Sequence, residues 1–336
     1  MAIDDMLHLD PMGSALSPVV LLFVGATALV YIRGAMHQKP VRERTGMIRH
    51  ALFATGLLVV VASFDGPLAS GIQRLFAFHQ LQHLLIRLVG PMLIVLAYPW
   101  PLLRAGLPVG MSRWLECLGQ HRAIVWLASI CATLPVALVL LVATLYVWQL
   151  PIVHNAALDK PLVLILAHLG MTLAGLLFFA VVLDRRDAPE GAPQAGRMLV
   201  LVCVIVSNIV LGALTTLKQT VLYPAYDITG RLYGWAALAD ESLGGFIIWI
   251  PSSVTMIAAV FVVFNGWNRA EEERWSRRYD WAGGANSAAL EFPETAEELR
   301  MKVEKPNRRM GVTLGLAALT MYAIVLITAI TVLSLR

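Results

Sequence analysis

Apolar residues gather into eight long runs, and polar residues fill the seven connections between them. The runs cover 17–32, 48–64, 75–98, 123–148, 162–183, 198–217, 243–264 and 311–335. A helix rises about 1.5 Å per residue, so a run of about 20 residues crosses a hydrocarbon core of roughly 30 Å. Backbone groups in lipid must be satisfied within their own segment, so each run predicts a helix. The expected fold class is therefore all-α, a polytopic transmembrane helix bundle of eight spans. Pro91, Pro135 and Pro251 fall within runs and predict kinks.

The polar connections carry a second pattern. Arg33, Lys39, Arg42, Arg44 and Arg49 lie in the first. Arg104, Arg113 and Arg122 lie in the third, and Arg185, Arg186 and Arg197 in the fifth. Nine more Lys and Arg lie between Gly266 and Met310. The opposite side holds only Arg74, Lys160, Lys218, Arg231 and Arg336. An excess of Lys and Arg marks the cytoplasmic side, which places both termini outside. The segment ahead of the first run contains no Lys or Arg, and so predicts no cleavable signal peptide.

Composition agrees with this reading. Of the 336 residues, 58% are hydrophobic and 14% are charged. A soluble domain carries about 25% charged residues. The net charge of +4 is explained by topology and does not suggest nucleic acid. Cys117, Cys131 and Cys203 are far apart and make neither a disulfide framework nor a thiolate metal site. The expected organisation is a seven-helix membrane domain over 1–265, a cytoplasmic amphipathic and linker segment over 266–310, and an added transmembrane helix over 311–336. Within the middle segment, Arg269 to Asp280 predicts a helix lying on the headgroups.

Polar side chains inside a membrane are costly, and they mark function. The third run holds His79, Gln80, Gln82, His83 and Arg87. Residues four apart share a helical face, so His79 and His83 present two imidazoles to one point. The HExxH acid is missing, because Gln80 follows His79, so protease chemistry is not expected. His168 lies inside the fifth run, with Met171 on nearly the same face. Imidazole with thioether suits cuprous copper. His154 lies in the fourth connection, and Asp65 ends the second run. Asp240 and Glu241 open the seventh run, either facing a metal or complementing a helix dipole. No partner for Arg87 is evident from sequence.

The segment His79–Gln–Leu–Gln–His83–Leu–Leu, followed by Gly90–Pro91 and Tyr98–Pro99, resembles the HMxQHLLL…P…P signature of the CtaG-type cytochrome c oxidase assembly family. Three further blocks are similar to that family's. They are Trp148–Gln–Leu–Pro151 with Asn155 to Leu158, His168 with Leu177–Phe–Phe179, and Asp240 to Gly244 with Trp249–Ile–Pro251. The resemblance implies a protein of the bacterial inner membrane that serves haem-copper oxidase maturation. His79, His83, His168 and Asp240 fall on its motif positions. Gln149, Leu164 and Ala167 depart from it, where the family often has His, His and Glu, and Glu241–Ser242 replaces Gln–Gln.

The expectation is a non-enzymatic assembly factor. It would hold copper on the outer side at His79, His83 and His168, with Asp240 as a metal-facing or orienting group, and hand it to an oxidase subunit. Its partners would be haem-copper oxidase subunits and membrane lipid. A copper transporter, a haem-binding electron carrier and a metal-free structural subunit are the alternatives. The haem carrier would use His79 or His83 with His168 as axial ligands.

Overall fold

The computed structural model describes residues 13–37, 43–64, 68, 71–186, 190–228, 230–282 and a few positions between 308 and 323. Every regular element among them is helical. The chain divides into two compact units, Met1–Val260 and Phe261–Arg336.

In the first unit, α1 (Gly13–His37) and α2 (Glu43–Phe64) pack side by side. The third run is more complex. Helix α3 (Phe76–Leu84) passes into a π-helical turn, Leu85–Val89, and resumes as α4 (Gly90–Leu96). Proline has no N–H to offer the carbonyl four residues earlier. Pro91 stands in that relation to Arg87, and the wider π turn lets the helix pass through. This composite helix, Phe76–Leu96, is the most thoroughly buried of the candidate spans.

Helix α5 (Trp100–Gly106) packs on α1, where Gly34 and Gly106 let the backbones meet. Helices α6 (Val109–Gln120) and α7 (Arg122–Cys131) bury no residue. Helix α8 (Leu134–Val147) follows α7 at an angle of 76°. Pro135 sits in the first turn of α8, where a missing N–H is harmless. The fourth expected span is therefore a sharply bent pair.

Helix α9 (Pro151–Asp159) is short, and α10 (Pro161–Val182) follows directly. Helix α10 packs on α8, on α4 and on the π turn. Helix α11 (Gln194–Leu217) packs on α8. The connection after it contains α12 (Ala225–Ile228) and a 3₁₀ turn, Leu232–Gly234. Helix α13 (Ala237–Ala282) meets α11 where Gly245 faces Thr216 and Gly212 faces Trp249. Pro251 lies inside α13 and leaves the Ile247 carbonyl without its helical N–H. The Ser252 hydroxyl donates to that carbonyl at 3.4 Å.

Among the described residues, six helices are long and apolar enough to cross a bilayer, or up to seven if the bent pair counts as one span. The eighth expected span falls largely outside the described residues. Arg269–Asp280 is helical as expected, but it extends α13 and is not a separate element. Between Phe264 and Trp281 only Gly266 opposes a helix, and one glycine costs about 1 kcal/mol.

Candidate metal centre

Helix α3 begins at Phe76 after an extended Leu75, whose own side chain caps nothing. Helix N-termini leave amides without intrahelical partners. Asp240, from the first turn of α13, supplies acceptors for two of them. Its Oδ2 accepts from the Phe76 N–H at 2.9 Å and its Oδ1 from the Ala77 N–H at 3.0 Å. The Arg231 guanidinium also binds the Asp240 carboxylate and donates to Asp227 at 2.8 Å. Glu241 accepts from the amides of Leu222 and Tyr223, each at 3.0 Å, and pairs with Lys218. The two acids thus hold the α11–α13 connection against the start of α3.

Held in this way, α3 turns His79 and His83 to one side, with ring centroids 4.5 Å apart. His168 of α10 faces them at 6.1 and 5.8 Å. The three are at most 6% exposed. Their ligand nitrogens lie within 4.8 Å of one another. Ligands sharing one ion at about 2 Å stand no more than about 4 Å apart, so modest ring rotations complete the convergence. His79 Nε2, His83 Nε2 and both nitrogens of His168 make no hydrogen bond. Buried polar atoms are almost always partnered. A cluster of bare imidazole nitrogens has the chemistry of a metal site, and the donor set fits copper or zinc.

A fourth imidazole belongs to this group. His154 of α9 lies 4.8 Å from His79 and 6.2 Å from His83, ring to ring. Its Nδ1 donates to the Trp148 carbonyl at 3.0 Å. Its Nε2 lies 2.7 Å from the Tyr226 hydroxyl, which in turn lies 2.8 Å from His79 Nδ1. Burial pushes the His154 pKa down to about 4 and, with help from Asp240, pushes Tyr226 well above its ordinary value. Both are therefore uncharged at neutral pH. Phe76 stacks on Tyr223 at 4.3 Å and meets Tyr226 edge-on at 6.0 Å. The Tyr223 hydroxyl donates to the Gln149 carbonyl at 2.7 Å, and the Gln149 amide donates to Gln80 Oε1.

The other expected residues fall elsewhere. The Asp240 carboxylate is taken up by backbone amides and Arg231 and is not in the three-histidine group. Met171 is buried with Ile86 and Ala167, in an apolar cluster against which Phe64 and Trp148 pack. Phe64 meets His168 edge-on at 5.2 Å. Arg87 lies in the π turn, and one of its terminal nitrogens (Nη2) is 3.4 Å from Asn208 Oδ1. Asp65 lies outside the described residues. Sequence reasoning missed Tyr223, Tyr226 and Arg231. The one trace of the two tyrosines is the aromatic content of the 218–236 connection, and Arg231 stood out only as one of the few basic residues on its side.

These features define a class: a helical membrane protein with a buried, acid-free imidazole cluster between two of its spans. Residues 29–270 match the family of cytochrome c oxidase caa3 assembly factors, and the chain belongs to that family. It is also similar to uncharacterized proteins of Mycobacterium bovis and Mycobacterium tuberculosis, each 25% identical over 228 residues. Those alignments cover 65% of this chain and 34% of each relative, so the chain spans about a third of the length of the curated relatives it matches. No solved structure matches it.

Proposed function

We propose that this protein assists assembly of a haem-copper oxidase by holding cuprous copper on His79, His83 and His168 and passing it to an oxidase subunit. The observation that carries the reading is the set of three buried imidazoles, each with an unpartnered nitrogen, on α10 and on the composite helix Phe76–Leu96, whose π turn and α4 pack on α10. Copper is cargo here and the protein is not an enzyme. The charge distribution over the connections supports a site near the outer face.

Charge argues for the monovalent ion. The three-histidine group contains no carboxylate to neutralise the metal. The cost of burying an ion grows with the square of its charge, so a buried site of uncharged ligands discriminates against divalent copper and zinc. The arrangement gives little support to a haem carrier. His83 stands 4.5 Å from His79 and 5.8 Å from His168, in the space that a porphyrin plate between those two rings would need.

Elemental analysis and an optical spectrum of the purified protein test the reading. One copper per chain, with no Soret band, is expected. The double variant His79→Ala, His83→Ala should remain inserted, lose its copper and lower oxidase activity in cells. Unchanged metal content in that variant would remove the proposal, and sharp reduced haem peaks would replace it with an electron carrier. Co-purification with oxidase subunits that survives the double change alongside normal oxidase activity would leave a metal-free scaffold.

A further inference from the structure

Four groups form a chain of hydrogen bonds whose direction can be worked out from one end. The Trp148 carbonyl can only accept, so His154 Nδ1, 3.0 Å away, must carry a proton. His154 is wholly buried, and its hydrogen-bond partners are a carbonyl and a hydroxyl with no carboxylate to hold a charge, so its imidazole is neutral with one N–H, which leaves Nε2 as an acceptor. The Tyr226 hydroxyl lies 2.7 Å from that nitrogen and spends its single proton there. Its oxygen can then only accept from His79 Nδ1 at 2.8 Å. His79 is thereby the Nδ1–H tautomer, and its Nε2 carries a bare lone pair. That Nε2 is the buried nitrogen without a partner, beside the unpartnered nitrogens of His83 and His168.

We infer that Tyr226 is a positioning residue for the metal centre, and that with His154 behind it Tyr226 locks His79 into the one tautomer that can bind a metal through Nε2. Its role as a copper device rests on the function proposed above. The tautomer assignment does not. A ligand that already holds the required tautomer and ring orientation gives up nothing on binding, which is how outer partners of metal-bound histidines act. Neither Tyr226 nor His154 needs to touch the ion.

The test uses the full-length protein in lipid vesicles, with ¹⁵N-labelled histidine. Solid-state NMR of the metal-free protein reads the tautomer, and the His79→Ala difference spectrum assigns the signal. Wild-type His79 should show one protonated Nδ1 and one unprotonated Nε2. Tyr226→Phe keeps the ring and removes the hydroxyl. It should give a mixture of His79 tautomers and weaken cuprous binding, measured by chelator competition, by about 10- to 100-fold. Three-histidine coordination in the X-ray absorption spectrum should be retained. His154→Ala should loosen the tautomer in the same way, and it serves if Tyr226→Phe fails to fold. Tyr223→Phe removes a neighbouring hydroxyl bonded to Gln149 and should leave the tautomer fixed. A fixed Nδ1–H tautomer in Tyr226→Phe and His154→Ala would overturn the inference, as would an equal disturbance in Tyr223→Phe. If the wild type shows the fixed tautomer yet binds no copper, the proposed function fails and the assignment stands.

Discussion

Asp240 accepts a hydrogen bond from the backbone amide of Phe76 at 2.9 Å, across 164 residues of sequence. An acid at a helix start normally serves its own helix. This one serves another, the helix that carries His79 and His83. Negative charge at a helix N-terminus is stabilising, and amides left bare there are costly. Asp240 therefore aims the two histidines from outside the three-imidazole group.

Asp240→Asn should lower stability by about 1–3 kcal/mol, because a buried charge-assisted pair of bonds is weakened. Copper affinity should fall as well, while the coordination shell keeps three nitrogens. Thermal melting and X-ray absorption check this. A lost oxygen neighbour in the absorption spectrum would make Asp240 a ligand instead.

In the proposed copper centre the third imidazole is that of His168, from the second helix, and the centre cannot close without it. His168→Ala should weaken cuprous binding by more than about 100-fold, beyond the range for an outer partner. Chelator competition measures it. A small effect would mean that His154 substitutes for it.

Gly244 is packed under the Phe76 ring, and an added Cβ would overlap Cδ1 and Cε1 of that ring. Gly244→Ala should cost about 1–3 kcal/mol, as overpacking does, and should disturb the stack with Tyr223. Adding Phe76→Leu should recover part of the loss in a melting experiment.

Arg87 is 4% exposed, and its one side-chain hydrogen bond among the described residues is to Asn208, with its Nε left unpartnered. A buried charge without an acid is expensive. Arg87→Met should leave stability unchanged or raise it, and should tighten cuprous binding by removing a cation below the site. Melting temperature and chelator competition both report on this. Marked destabilisation would show that Arg87 holds the helices together.

Much of the centre was legible in the sequence. Spacing alone put His79 and His83 on one face, and an intramembrane histidine pointed to His168. Helical periodicity reports which residues share a face, which sufficed for the pair, whereas the facing of His168 onto them is set by packing. Asp240 was visible as important, but its role was not. The choice between facing a metal and capping a helix depends on where α13 begins relative to α3, which only packing decides. His154 and Tyr226 were harder still. Both lie in connections, whose paths follow no period, and one hydroxyl joins residues 72 and 147 positions apart. The bend at Ala132–Leu134 was signalled by Pro135, whereas its 76° angle was not.

The π turn at Leu85–Val89 amounts to one extra residue threaded into a helix between the histidines and Pro91. Removing a single residue there would wind the turn back to α-helical pitch, with Pro91 still offering no N–H to the carbonyl four residues before it. It would also swing everything above the deletion by about 100° relative to everything below. The imidazoles would then turn away from α10 while Gly90 and Pro91 kept their seats. The irregularity sets the azimuth of the upper half, so alignments that close this gap for neatness would pair the wrong faces of two proteins.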